Sequence, residues 1–125
     1  MKLPKLWAQE VGKTGEDLAA NWYKKQGFRI VERNYRTRFG EIDLIVQKND
    51  KWIVFVEVKT RTGDSLGRPC EAVDIRKQKK LIAAAKQYIA YLPEGSEQLR
   101  FDVMEVFPDK KGNERFNCIE NAFTL

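Results

Sequence analysis

At 125 residues the chain has the usual size of one domain, and folding should bury roughly two thirds of its unfolded surface. Its 42% apolar and 33% charged content reads as globular, and no run reaches the ~20 apolar residues of a membrane-spanning helix. Lys and Arg outnumber Asp and Glu by 23 to 18, a mild pointer to a polyanion, while the absence of histidine excludes Ser-His and Cys-His catalysis and histidine-ligated zinc.

The N-terminal MKLPKLWAQEVGK has no apolar run of the signal-peptide kind, so a cytoplasmic location is expected. Thr14-Gly15-Glu16-Asp17 predicts a helix start with Thr14 as N-cap. Leu18, Ala19, Trp22 and Tyr23 recur at helical spacing, and Gly27 suits the stop. Phe28 to Arg33 reads as a short strand, followed by a basic loop, Asn34 to Gly40. Glu41 to Gln47 and Trp52 to Thr60 are strand-like runs rich in Ile and Val, joined by the polar turn Lys48-Asn49-Asp50-Lys51.

Thr62 to Ser65 and Gly67-Arg68-Pro69 break the pattern into a loop. A long helix is predicted from Asp74, a suitable N-cap, to Leu92, with Ile75, Leu81, Ile82, Ala85, Tyr88, Ile89 and Leu92 as its apolar stripe. Leu99 to Phe107 and Arg115 to Ile119 are the closing strands. The order α-β-β-β-α-β(-β) predicts a single α/β domain over residues 1–125, a mixed sheet flanked by helices. Cys70 and Cys118 form no CxxC pair and read as ordinary thiols.

The two central strands are apolar on both faces, as in a sheet covered on both sides, except where acids and a lysine interrupt. By alternation, Glu41, Asp43 and Ile45 share one face of the first, and Ile42, Leu44 and Val46 the other. In the second, Ile53, Phe55, Glu57 and Lys59 share a face. An unpaired carboxylate buried there costs several kcal/mol, so the cluster needs a compensating partner. Asp43 and Glu57 face each other if the hairpin pairs residues whose indices sum to 100, which requires an odd-length loop or a bulge. Their β-carbons would then lie roughly 5 Å apart. Mg²⁺ suits such a pair, and Lys59 points to the same side. The plainer alternative is a cross-strand salt-bridge cluster on a solvated face. Gln78 extends the apolar stripe of the second helix, and Arg76, Lys77, Lys79 and Lys80 surround it with positive charge suited either to phosphates or to a solvated face.

Gly40-Glu41-Ile42-Asp43-Leu44-Ile45, Val54-Phe55-Val56-Glu57-Val58-Lys59-Thr60-Arg61, Gly67 to Val73, Arg76-Lys77-Gln78 and Arg100-Phe101-Asp102-Val103 closely resemble the signature of the small bacterial YraN family. The similarity runs from Gly15-Glu16 to Asn121-Ala122-Phe123. The resemblance implies a restriction-endonuclease-like fold of the PD-(D/E)XK type, similar to archaeal Holliday-junction resolvases. It implies that Asp43 and Glu57 bind Mg²⁺ or Mn²⁺, that Glu16 is a further ligand, that Lys59 assists the attacking water, and that Glu41 and Gln78 support them. The superfamily's proline is absent, since Ile42 precedes Asp43.

The expected activity is therefore hydrolysis of phosphodiesters in DNA, with branched junctions among the candidate substrates. Arg36, Arg38, Arg61, Arg76, Lys77 and Lys80 are candidate phosphate contacts, and a homodimer would match a two-fold junction. The alternatives are a non-catalytic nucleic-acid-binding module that keeps the fold, and an interaction protein in which the acids form structural ion pairs.

Overall fold

A computed structural model describes residues 3–49, 51–61, 74–92, 98–109 and 111–123, with side chains in the first helix from Thr14 on. Its elements are α1 (Leu3–Lys25), β1 (Arg29–Thr37), β2 (Gly40–Lys48), β3 (Trp52–Thr60), α2 (Ile75–Ile89), β4 (Gln98–Phe107) and β5 (Arg115–Phe123). The strands form one sheet in chain order, β1-β2-β3-β4-β5, with every pair antiparallel except β3 and β4. A parallel pair needs a crossover long enough to hold a helix, and α2 lies in that connection. The expected mixed α/β architecture is what the chain adopts.

Each helix covers one face of the sheet. Ala19, Ala20 and Tyr23 of α1 pack on Leu44, Val46, Val54, Val56, Met104 and Val106. Leu81, Ala84 and Ala85 of α2 pack on Ile42, Ile45, Ile53, Phe55 and Phe101. Burial on both sides is why the central strands carry unbroken aliphatic runs.

The helix begins well before Thr14, which is an exposed residue of its interior and not a cap. Polar capping residues are tolerated inside a helix when their side chains face water, so this local signal marks no boundary here. The predicted stop is real. Gly27 takes φ 93°, its N–H reaches Lys24 O at 3.0 Å, and Phe28 N–H reaches Tyr23 O at 3.0 Å. That is the Schellman pattern, with the Tyr23 and Phe28 rings in edge contact across it at 5.4 Å.

The predicted basic loop is instead mostly strand, because Tyr35 pairs with Ile42, Arg36 with Glu41 and Thr37 with Gly40. As an edge strand, β1 can be largely polar and still pair along most of its inner side, with a register shift between Ile30 and Glu32. Pairing of β2 with β3 runs from Lys48↔Trp52 to Leu44↔Val56, in the expected register, and leaves three residues in the turn. Asn49 there takes φ 55°, which suits an asparagine. α2 starts where expected, with Asp74 accepting from Lys77 N–H at 2.8 Å, but Ile75 is 69% exposed and not part of the buried stripe. β5 runs beyond Ile119 because Phe123 stacks on Phe101 at 4.7 Å.

α1 lies close against β3 at Gly15. A β-carbon at that position would collide with Thr60 Oγ1 and lie 3.1 Å from its Cβ. Gly15→Ala is therefore expected to destabilise the protein by about 1–3 kcal/mol, overpacking outweighing alanine's better helix propensity. Urea denaturation measures it, and a stabilised variant would show that α1 can shift freely on the sheet.

Candidate functional site

The β2 strand is irregular at Asp43. Its pairing with β3 stops at Leu44↔Val56, and pairing with β1 passes from Arg33↔Leu44 to Tyr35↔Ile42 around Asn34, which has φ 52°. Asp43 Oδ2 instead accepts the Val58 N–H at 2.8 Å, so a side chain does the work of a ladder bond. The interruption also corrects the strict alternation expected for this strand. Ile42 joins Ile45 on the α2 side, while Leu44 and Val46 face α1.

Two adjoining clefts open at this end of the sheet. One, of about 420 Å³, is lined by Gly40, Glu41, Asp43, Glu57, Asp74, Arg76, Lys77, Lys80 and Leu81. The other, of about 910 Å³, is lined by Glu16, Arg33, Asn34, Arg36, Asp43, Glu57, Val58, Lys59, Thr60 and Lys77. Asp43, Glu57 and Lys77 belong to both, so they form the ridge between the α2 side and the α1 side.

Glu57 is buried, and its Oε1 lies 2.7 Å from Lys77 Nζ and 3.7 Å from Lys59 Nζ. Burial and then the neighbouring Glu57 charge push the Asp43 carboxyl up to about 7, with Glu16 and Glu41 adding to it and the Val58 N–H opposing. Lys59 is held below the ordinary lysine range by burial and by the adjacent Lys77 charge. Burial pulls Lys77 down too, but its hydrogen bond and attraction to Glu57 win and raise it. The site therefore concentrates acids whose mutual repulsion two lysines only partly relieve.

Lys77 stands one residue before Gln78 on the first turn of α2, and it is Lys77 that closes on the buried acid. Sequence spacing reads it as a phosphate contact and misses this pairing. Gln78 is half-buried and lines neither cleft, and the exposed Glu41 pairs with Arg36 at 3.3 Å. Glu16 stands in the wall of the larger cleft. Among the described residues no three acidic or cysteine side chains converge tightly enough to ligate one ion. Arg36, Arg76 and Lys80 line the clefts, while Arg38 lies over the Phe39 ring at 5.0 Å. Arg61 faces another way, paired at 3.0 Å with the buried Glu105, which also accepts from Asn117 Nδ2 at 2.8 Å.

A second buried polar centre lies among α1, β4 and β5, away from both clefts. Asp102 accepts from Tyr23 OH at 2.9 Å, from Arg100 at 2.8 and 3.0 Å, and from Asn121 N–H at 3.1 Å. Burial, before the Asp102 charge, pushes the Tyr23 hydroxyl above its ordinary range. Burial likewise raises the half-buried Cys118 thiol beside it to about 11, leaving it unreactive. Cys70 and the stretch Gly67 to Val73 lie outside the described residues. The Arg-x-Asp spacing on one strand face is the sequence signal for this centre.

Among the described residues no helix is long and apolar enough to cross a membrane. The model of the uncharacterised protein family UPF0102 matches residues 15–106. A UPF0102 protein of Caldanaerobacter subterraneus is 45% identical over 97% of this chain and 100% of its own length. Another from Symbiobacterium thermophilum is 47% identical over 93% of this chain and 98% of its own. One from Clostridioides difficile is 44% identical over 92% and 97%. Among solved structures, Pyrococcus furiosus SfsA in complex with Ca²⁺ aligns with 88% of this chain and 62% of its own at 11% identity, with a TM-score of 0.33, too slight a likeness to carry an argument.

Proposed function

The chain belongs to family UPF0102, the YraN family, and from the chemistry held in its cleft we propose that it is a metal-dependent endonuclease of the PD-(D/E)XK type acting on DNA. One observation carries the reading: two carboxylates, Asp43 and Glu57, meet at the end of β2 and β3 with Lys59 and Lys77 beside them. Two acids and room for water are what Mg²⁺ or Mn²⁺ takes from a protein, so the donor set fits such an ion. Bound there, the ion would supply Lewis acidity at the scissile phosphate and lower the proton affinity of a water.

The chain's own residues do the rest. Asp43 is fixed by the Val58 N–H, and Glu57 by its two lysines, which pre-orients both acids. Lys59, with weakened hold on its proton, orients the attacking water and offsets charge building on the phosphate. Water oxygen bonds to phosphorus and gives up a proton to solvent, the bridging P–O bond breaks, and the departing oxygen takes up a proton from solvent. Lys77, on exchanging Glu57 for substrate, joins Arg36, Arg76 and Lys80 as a phosphate contact. Glu16 acts across the larger cleft through water, and a homodimer would set two such sites on a two-fold branched junction.

The Lys77–Glu57 contact also favours a second reading, a binding module in which the acids are permanently neutralised. The deciding experiment is cleavage of labelled four-way junction, flap, duplex and single-stranded DNA with Mg²⁺ or Mn²⁺. Cutting supports the nuclease. Salt-sensitive binding without cutting supports the module, and neither removes both.

Metal binding should follow pH with a defined sign. A carboxyl raised from 3.8 to about 7 holds its proton in the fold. Without metal, its contribution to stability falls as pH rises through that interval and is level above it. Metal needs the carboxylate, so Mn²⁺ affinity should gain up to about tenfold per pH unit below 7 and then flatten. Calorimetric titration checks this; an affinity flat from pH 5.5 to 8 would count against Asp43 as a ligand.

A further inference from the structure

The hairpin between β1 and β2 presents Phe39 at its tip, 47% exposed, beside the smaller cleft that begins at Gly40. Singly exposed aromatics are common, and exposure alone would mean little. Here the ring is mounted on a built support. Thr37 Oγ1 accepts from Phe39 N–H at 3.0 Å and Gly40 N–H at 3.2 Å, and donates to Gly40 O at 3.0 Å. A β-carbon on Gly40 would come within 3.1 Å of Lys80 O, so the turn is seated directly against α2. The Arg38 guanidinium lies over the ring at 5.0 Å and holds its orientation.

The surroundings select the partner. Arg38 lies on the ring, Lys80 of α2 backs Gly40, and Arg76 and Lys77 follow on the α2 wall of the cleft, across from Glu41, Asp43 and Glu57. An exposed aromatic with a guanidinium on it, set beside the cationic first turns of α2, matches a polyanion that also carries flat apolar faces. Nucleic acid has that chemistry, but in regular duplex its base faces are covered. Only an unpaired base offers one. Four residues separate Phe39 from Asp43, about 13 Å at strand rise, or roughly four nucleotides of stacked strand.

We propose that Phe39, braced by Arg38, is a stacking platform for an unpaired base, so that the substrate is single-stranded or branched nucleic acid and not continuous duplex. The inference rests on the nucleic-acid reading above and narrows its substrate. Stacking on an aromatic is sequence-tolerant, so the platform would recognise the open strand and leave base identity unread.

The test is fluorescence anisotropy in EDTA, where no cutting intervenes, with a labelled single strand and the same strand in full duplex. Wild type and Phe39→Ala, Phe39→Leu and Phe39→Trp are compared after circular dichroism confirms that they fold. Phe39→Ala and Phe39→Leu should both lose at least about fivefold in affinity for the single strand, with duplex binding changed less than about twofold. Phe39→Trp should bind like wild type. Equal loss on both probes, no loss on either, or wild-type binding by Phe39→Leu would overturn the platform. If these occur while wild type still cuts DNA, only the platform falls. Failure of wild type to bind either probe overturns the platform, and removes the nucleic-acid reading with it where wild type also cuts no DNA.

Discussion

Asp43→Asn should abolish metal-dependent cleavage, by at least about 100-fold, while leaving the fold as stable as before or more so. The substitution is nearly isosteric, and the new amide oxygen can still accept the Val58 N–H that Asp43 accepts at 2.8 Å. What it removes is a charge that burial, Glu57, Glu16 and Glu41 all oppose. At pH 8 wild type carries that charge in the absence of metal and is strained by it. Thermal melts should therefore place Asp43→Asn at or above wild type in EDTA. Added Mg²⁺ should raise the wild-type Tm and leave that of the variant unmoved. Lys59→Ala should lose cleavage comparably, since it takes away the cation nearest the attacking water. The combination separates a working site from a structural cluster. If the acids were there only for ion pairing, Asp43→Asn would lose stability and Mg²⁺ would change neither melt. Cleavage that survived Asp43→Asn would end the nuclease reading of this cleft.

Most of the architecture is legible in the sequence because it follows from burial. Runs such as Trp52 to Thr60 and the stripe from Leu81 to Ile89 state both their period and their covered faces, and they occur where expected. The sequence states the register that opposes Asp43 to Glu57 only as a condition, an odd-length loop or a bulge, and the ladder meets that condition up to Leu44↔Val56. What alternation cannot supply is the break in a strand. At Asp43, where the ladders to both neighbours lack a pair, and again at Asp102, within the β4–β5 register shift, an aspartate side chain accepts a strand N–H. Near each stands an asparagine in the left-handed region, Asn34 at φ 52° and Asn121 at φ 51°. Periodicity assigns both asparagines to ordinary loop or strand, since nothing in a period-two pattern encodes positive φ. The tasks of Lys77 and Arg61 were hidden for a related reason. A long cationic side chain reaches whichever acid the fold brings near, so spacing along the chain does not name its partner.

Removing the Asp102 carboxylate should be the most damaging single change to stability outside the apolar core, about 3–5 kcal/mol for Asp102→Ala in urea denaturation. The residue is 1% exposed and gathers groups from three elements: Tyr23 of α1, Arg100 on its own strand, and the Asn121 N–H of β5. Alanine would leave a partly buried guanidinium without its charge partner, a tyrosine hydroxyl without an acceptor and a freed backbone donor. The loss is a statement about leaving groups unpaired, not about the worth of the ion pair. Tyr23→Phe/Arg100→Met/Asp102→Leu should accordingly recover much of it, since methionine can still cover the Phe28 and Trp52 rings that Arg100 approaches at 5.9 and 5.7 Å. Recovery should stop short of wild type, because the Asn121 N–H remains without its acceptor. A single variant within about 1 kcal/mol of wild type would mean that water enters the centre and satisfies the groups that Asp102 leaves. The network also ties the C-terminal turns of α1 to β4 and β5, whereas Gly15 and Glu16 lie further up the same helix. Weakening it should therefore loosen the helix that carries Glu16 to the cleft. Cleavage per folded molecule in the triple variant should stay close to wild type if Glu16 acts only through water, and fall if it must be held rigidly.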